Sequence, residues 1–175
     1  MKRLFMSVLL TIMCSFFAFA GGVKYLSGNK KLFKNAEGGM LLEISFEGAT
    51  YDYSCPLEER WSDIDLYTLK ARDGFIQDFR ENFSKVYITD NASEAKYRIS
   101  IKIDNVDMYA KVMSWVPGPA IKVWGTLVIS DAASGEELLK LSLKELCGGA
   151  SPSQHEAMSD TFELLADELK KFKRC

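Results

Sequence analysis

The chain has 175 residues, 47% hydrophobic and 26% charged, with 22 basic against 24 acidic side chains and a formal net charge of −2. That length supports one sizeable core, and without a basic surplus no nucleic-acid partner is expected. A single histidine, with no C-x-x-C, H-E-x-x-H or EF-hand spacing, leaves no metal or cofactor to expect.

Residues 1–20 read as a secretory signal peptide. Lys2 and Arg3 form a basic start, residues 4–19 are almost wholly apolar, and Ala18-Phe19-Ala20 is an A-x-A cleavage site ahead of Gly21-Gly22. The apolar run falls short of the roughly 20 residues that a membrane-spanning helix needs. Acylation at Cys14 is disfavoured by Met13 before it and by the apolar residues that follow. Cleavage removes Lys2 and Arg3, taking the −2 of the whole chain to −4, and leaves no second apolar span. An exported, soluble or peripheral protein is expected. Cys55, Cys147 and Cys175 survive processing. Export permits a disulfide, for which Cys55 and Cys147 are the candidates; small core residues are the alternative reading.

Residues 21–37 are polar around a Ser27-Gly28-Asn29 turn and read as a flexible arm or an edge strand. The single α/β domain spans 38–175. Met40, Leu42, Ile44 and Phe46 alternate with Leu41, Glu43, Ser45 and Glu47, predicting a half-buried strand. Residues 48–62 show no sustained period and read as a connecting loop. Helical spacing then joins Ile64, Tyr67, Ala71, Phe75, Phe79 and Phe83, with Asp63 as a candidate cap and Gly74 as a weak point. Val86-Tyr87-Ile88 is a short strand.

Residues 96–146 form a three-strand antiparallel meander. Tyr97, Ile99, Ile101 and Ile103 alternate on the first strand, Ile121, Val123, Leu127 and Ile129 on the second, and Leu139, Leu141 and Leu143 on the third. Asp131 and Gly135 frame the turn between the last two. Ser151 or Ser153 can cap a closing helix whose apolar stripe is Met158, Phe162, Leu165, Leu169 and Phe172, with Lys170, Lys171, Lys173 and Arg174 favoured at its C-terminal end. The fold class is therefore α/β (α+β): a two-layer sandwich with a mixed sheet of about five strands and two helices on one face, leaving the other face open.

No phosphate-cradling G-x-x-x-x-G-K-[ST] or G-x-G-x-x-G pattern occurs, nor a G-x-S-x-G elbow. The chemistry left to weigh is a Cys147–His155 nucleophile pair, or carboxylates drawn from Asp104, Asp107, Glu43 and Glu47. The first has no support beyond nearness in sequence, and solvated strand ends explain the carboxylates better.

The unusual surface is the connection over 108–120, which holds Tyr109, Val112, Met113, Trp115 and Val116 ahead of Pro117-Gly118-Pro119. A hairpin loop in water should be polar. This one either folds over the core or is held out for a partner, and Trp124 and Val128 on the next strand add apolar area to the open face.

Two motifs carry a resemblance. Residues 95–103 fit A-K-Y-x-[IL]-x-[IVL]-x-[IV], and 125–135 fit G-x-[LIV]-x-[IL]-x-D-x-x-[ST]-G, followed by a closing helix. In these the chain resembles the small, largely uncharacterised envelope proteins exported by Gram-negative bacteria, and more loosely the α/β domains of TolB amino-terminal and curli-secretion lipoprotein type. The resemblance implies a periplasmic or surface location and assembly with other envelope components rather than catalysis. The expected function is a non-enzymatic module that binds an envelope protein or component, a further copy of itself included, through Tyr109, Met113, Trp115, Val116 and Trp124. The alternative is a small exported enzyme or ligand carrier with a pocket near Cys147 and His155.

Overall fold

The structure, a computed structural model, describes residues 21–53, 64–111 and 118–174. Seven strands form one mixed sheet: β1 (Gly22–Gly28), β2 (Gly38–Ser45), β3 (Thr50–Tyr53), β4 (Val86–Thr89), β5 (Ala95–Lys111), β6 (Gly118–Asp131) and β7 (Glu137–Leu146). Their order is β1-β7-β6-β5-β2-β4, with β3 pairing the far half of β5. The meander β5-β6-β7 is antiparallel, whereas β2, β3 and β4 enter in parallel ladders.

The sheet has more strands than the five expected. The 21–37 stretch contributes an edge strand, β1, antiparallel to β7, and a one-turn helix α1 (Leu32–Asn35). Residues 50–53, read as loop, continue the line of β2 along β5 after a break, in register Thr50 to Asn105. Four residues are too few for an alternation to declare itself.

Two long helices, α2 (Ile64–Asn82) and α3 (Gln154–Glu168), pack on each other and on one face of the sheet. From α2, Tyr67, Ala71, Phe75 and Phe79 are buried, and Phe83 follows just beyond its end. Ile64, expected in the stripe, is 42% exposed because it opens the helix. Ser153 caps α3, its hydroxyl accepting the Glu156 N–H at 3.2 Å. The expected single closing helix is two: α3 stops at Glu168, and Phe172 together with the terminal basic residues sits on a separate turn, α4 (Lys171–Arg174), which packs on α1. The cations therefore do not occupy the last turn of α3.

Two bulges explain where sequence alternation fails. Asp104 is the extra residue between the Ile103–Gly125 and Asn105–Trp124 pairs, so the buried set changes from Ile99, Ile101 and Ile103 to Val106 and Met108. On β7 the register slips between the Gly125–Leu143 and Val123–Leu146 pairs. Glu145 takes φ +51° there, and Leu146 returns to the core. Strand β5 thus runs to Lys111 and β6 starts at Gly118, so the connection read as 108–120 is only 112–117 long. Met108 and Ala120 are strand residues with no exposure. No described helix is long and apolar enough to cross a membrane.

Candidate functional site

Because both long helices cover one face, the residues of opposite parity on β5, β6 and β7 form a second face that no described helix covers. Toward the Arg98 end it is an ordinary charged surface, where Arg98 donates to Glu43 at 2.9 Å. Toward the other end its character changes. Ladder register places Asp52, Asp107 and Lys122 in one row across β3, β5 and β6, and the Val123–Leu146 pair brings Cys147 beside Lys122.

Tyr109 closes this cluster. Its hydroxyl lies 3.4 Å from the Cys147 sulfur, and the Lys122 ammonium sits 4.9 Å from its ring centre. Burial, reinforced by the hydrogen bond and charge of Cys147 and by Asp107 and Glu145, pushes the Tyr109 phenol well above its ordinary range. The side chain is therefore a neutral hydrogen-bonding group near pH 7. Trp124 is half-buried on the same face, opposite Asn105, whose amide donates to Thr50 at 2.7 Å and Asp52 at 2.9 Å.

The base under this cluster is tied to α3. Thr161 of α3 is fully buried: its hydroxyl lies 2.7 Å from the Ala157 carbonyl and 3.2 Å from that of Ile121, and it accepts the Gly148 N–H at 3.2 Å. One side chain thus ties α3 to β6 and to the chain leaving Cys147. Gly118 at the start of β6 is pressed on Ser151, since a methyl there would come within 2.2 Å of the Ser151 carbonyl oxygen.

Of the residues expected in a site, the structure brings Tyr109, Trp124 and Cys147 to one face. Met113, Trp115 and Val116 lie outside the described residues, as does Cys55. His155 is placed in the first turn of α3 with its ring 5.1 Å from that of Tyr67, while the described partner of Cys147 is Tyr109. Asp104 is exposed on its bulge and Asp107 pairs across to Lys122, so the two carboxylates have different settings. Lys122 was missed from sequence, where alternation marks it only as a polar position. Among the described residues, no group of three or more His, Cys, Asp and Glu is arranged to hold a metal ion.

No family model matches the chain, and no curated protein does. Among solved structures, a PelC dodecamer from Paraburkholderia phytofirmans is similar at 16% identity and a TM-score of 0.49, over 89% of this chain and 100% of that one. A second PelC dodecamer from the same organism is similar at 19% identity and a TM-score of 0.47, over 86% and 98%. A DUF330-family protein from Xanthomonas campestris follows at 10% identity and a TM-score of 0.44, over 86% and 91%. These neighbours come from Gram-negative bacteria. At this distance they assign no role to any residue of the chain.

Proposed function

We propose that this chain is a non-enzymatic exported envelope protein that binds a protein or another envelope component through the open face of its sheet, centred on Tyr109, Lys122 and Trp124. The observation that carries this reading is the half-buried aromatic and cationic cluster on a face that no described helix covers. Tyrosine and tryptophan anchored on a rigid sheet lose little side-chain entropy when a partner docks, and aromatic residues dominate the energetics of interface centres. Met113, Trp115 and Val116 belong to the same proposal, because the stretch that holds them leaves β5 and enters β6 within two residues of Tyr109 and its partner Ala120. So do the signal peptide over 1–20, the periplasmic or surface location, and the finer likeness to TolB amino-terminal and curli-secretion domains.

The Cys55–Cys147 disulfide carries a geometric condition. Asp52 and Cys147 are separated by three strand spacings, about 14 Å, whereas the three residues from Asp52 to Cys55 reach about 10–11 Å. A disulfide needs Cα atoms within about 4.4–6.8 Å of each other. The bond therefore forms only if the chain after β3 turns back at once over Lys122. Non-reducing peptide mapping reads this directly.

No observation favours the enzyme or carrier alternative, since two cavities of the described surface are lined by other residues. The test of the binding reading is affinity capture from native envelope extract with the exported protein and its Trp124→Asp variant, checked for folding by circular dichroism. A defined partner held by the first and lost by the folded variant is expected. Equal capture by both would reject the face as the contact.

A further inference from the structure

A second surface, at the β1 edge of the sheet and the end of the fold where α1 meets α4, gathers cations that the sequence keeps apart. One cavity of about 400 Å³ is lined by Lys24 and Lys144 on β1 and β7 and by Lys171 on α4, together with Gly21, Gly22, Val23 and Glu168. Another, of about 200 Å³, is lined by Lys34 of α1, Lys85 before β4 and Lys173 of α4, over a floor that includes Phe33, Phe83 and Val86. Helix α4 joins the two, contributing Lys171 to one and Lys173 to the other. All six lysines are exposed.

Their charge is only partly neutralised. Lys85 pairs with Glu37 at 2.6 Å and Lys171 pairs with Glu168. Lys24, Lys34, Lys144 and Lys173 have no carboxylate within ion-pair distance among the described residues, and Lys173 donates instead to the Asn82 carbonyl at 3.1 Å while lying 5.7 Å from the Phe83 ring centre. In a chain of net negative charge, four uncompensated cations are thus brought close together here. A cluster of acids lies on the helix layer, where burial and the neighbouring carboxylates Asp160, Asp78 and Glu81 hold Glu163 above the usual carboxylate range.

From this arrangement we infer that the lysine rim formed by α1, α4 and the adjoining strand ends docks the protein on an anionic phospholipid surface. Phospholipid is the occupant that fits, because the three lysines of the smaller cavity ring an apolar notch floored by two aromatic rings 4.7 Å apart. Phosphodiester headgroups offer negative charge and hydrocarbon side by side, as this notch asks. A nucleic acid would supply the charge without the hydrocarbon. Clustered lysines near an anionic bilayer each strengthen binding by roughly fivefold, so four uncompensated ones suffice for salt-sensitive peripheral attachment without a membrane span.

The experiment is vesicle co-sedimentation, using the protein recovered after export of the full chain. Vesicles of phosphatidylcholine alone are compared with vesicles holding about 30% phosphatidylglycerol, at about 0.1 M and 0.5 M salt. Binding to the anionic vesicles at low salt, its loss at high salt, and none to the neutral vesicles are expected. Lys34→Gln/Lys173→Gln should weaken binding by roughly 20- to 30-fold, with Lys102→Gln, on the open sheet face, leaving it unchanged. A wild-type protein without preference for the anionic vesicles overturns the inference whatever the variants do. It is equally overturned if duplex DNA is bound and vesicles are not.

Discussion

Gly74 of α2 lies directly on the backbone of Ser159 of α3: a methyl group built on Gly74 would stand 2.3 Å from the Ser159 carbonyl oxygen. This crossing sets how closely the two helices approach, and so how tightly the helix layer closes over Phe75, Phe79 and Phe162. Gly74→Ala gains about 1 kcal/mol of helix propensity but drives a methyl into backbone that cannot turn aside, at a cost of about 1–3 kcal/mol or more. The steric term wins. Thermal unfolding should show Tm lowered by several degrees; an unchanged or raised Tm would mean that the helices separate at no cost.

Thr161→Val tests the tie beneath the candidate face. Valine keeps the shape but leaves the Gly148 N–H without its acceptor and removes the contacts to the Ala157 and Ile121 carbonyls. Burying an unsatisfied amide costs about 1–3 kcal/mol. Urea titration should show a lower midpoint with an unchanged slope.

Tyr109 gives the structure an alkaline signature. Burial, then the hydrogen bond and charge of Cys147, raise the folded phenol above the unfolded value near 10. The folded chain thus holds this proton more tightly than the unfolded chain. The resulting stability is complete below about pH 10 and is lost as pH climbs through the range between the two values. Wild-type stability should fall more steeply above pH 10 than that of Tyr109→Phe, and parallel curves would show the phenol to be open to water.

Glu145 occupies the left-handed region at φ +51° on the β7 bulge. A side chain there costs about 1 kcal/mol or more relative to glycine. Glu145→Gly is accordingly expected to hold or raise Tm, whereas a fall beyond the error of calorimetry would assign the glutamate side chain a stabilising role.

The strands that alternate for six residues or more were legible in the sequence, as was most of both helical stripes and, as one of two candidates, the Ser153 cap. What escaped was wherever one residue breaks the period. Asp104 ends the visible alternation of β5, although the strand continues seven residues further on the other parity, and this made half of a loop out of Tyr109, Ala120 and their neighbours. Strand β3 is too short to read, and β1 carries its own irregularity at Leu26, which is 48% exposed. Tyr109 and Trp124 stood out as aromatic residues in polar surroundings. Their company, Lys122 and Cys147, is set by cross-strand register, and register depends on bulges that one sequence does not announce.

The most direct measurement is photo-crosslinking in living cells, with a benzophenone amino acid placed at position 122 on the open sheet face or at position 69, where Leu69 is 51% exposed on α2. Binding through the open face predicts a discrete adduct from position 122 and none from position 69. An adduct from position 69 with none from position 122 would contradict it and move the contact to the helix layer.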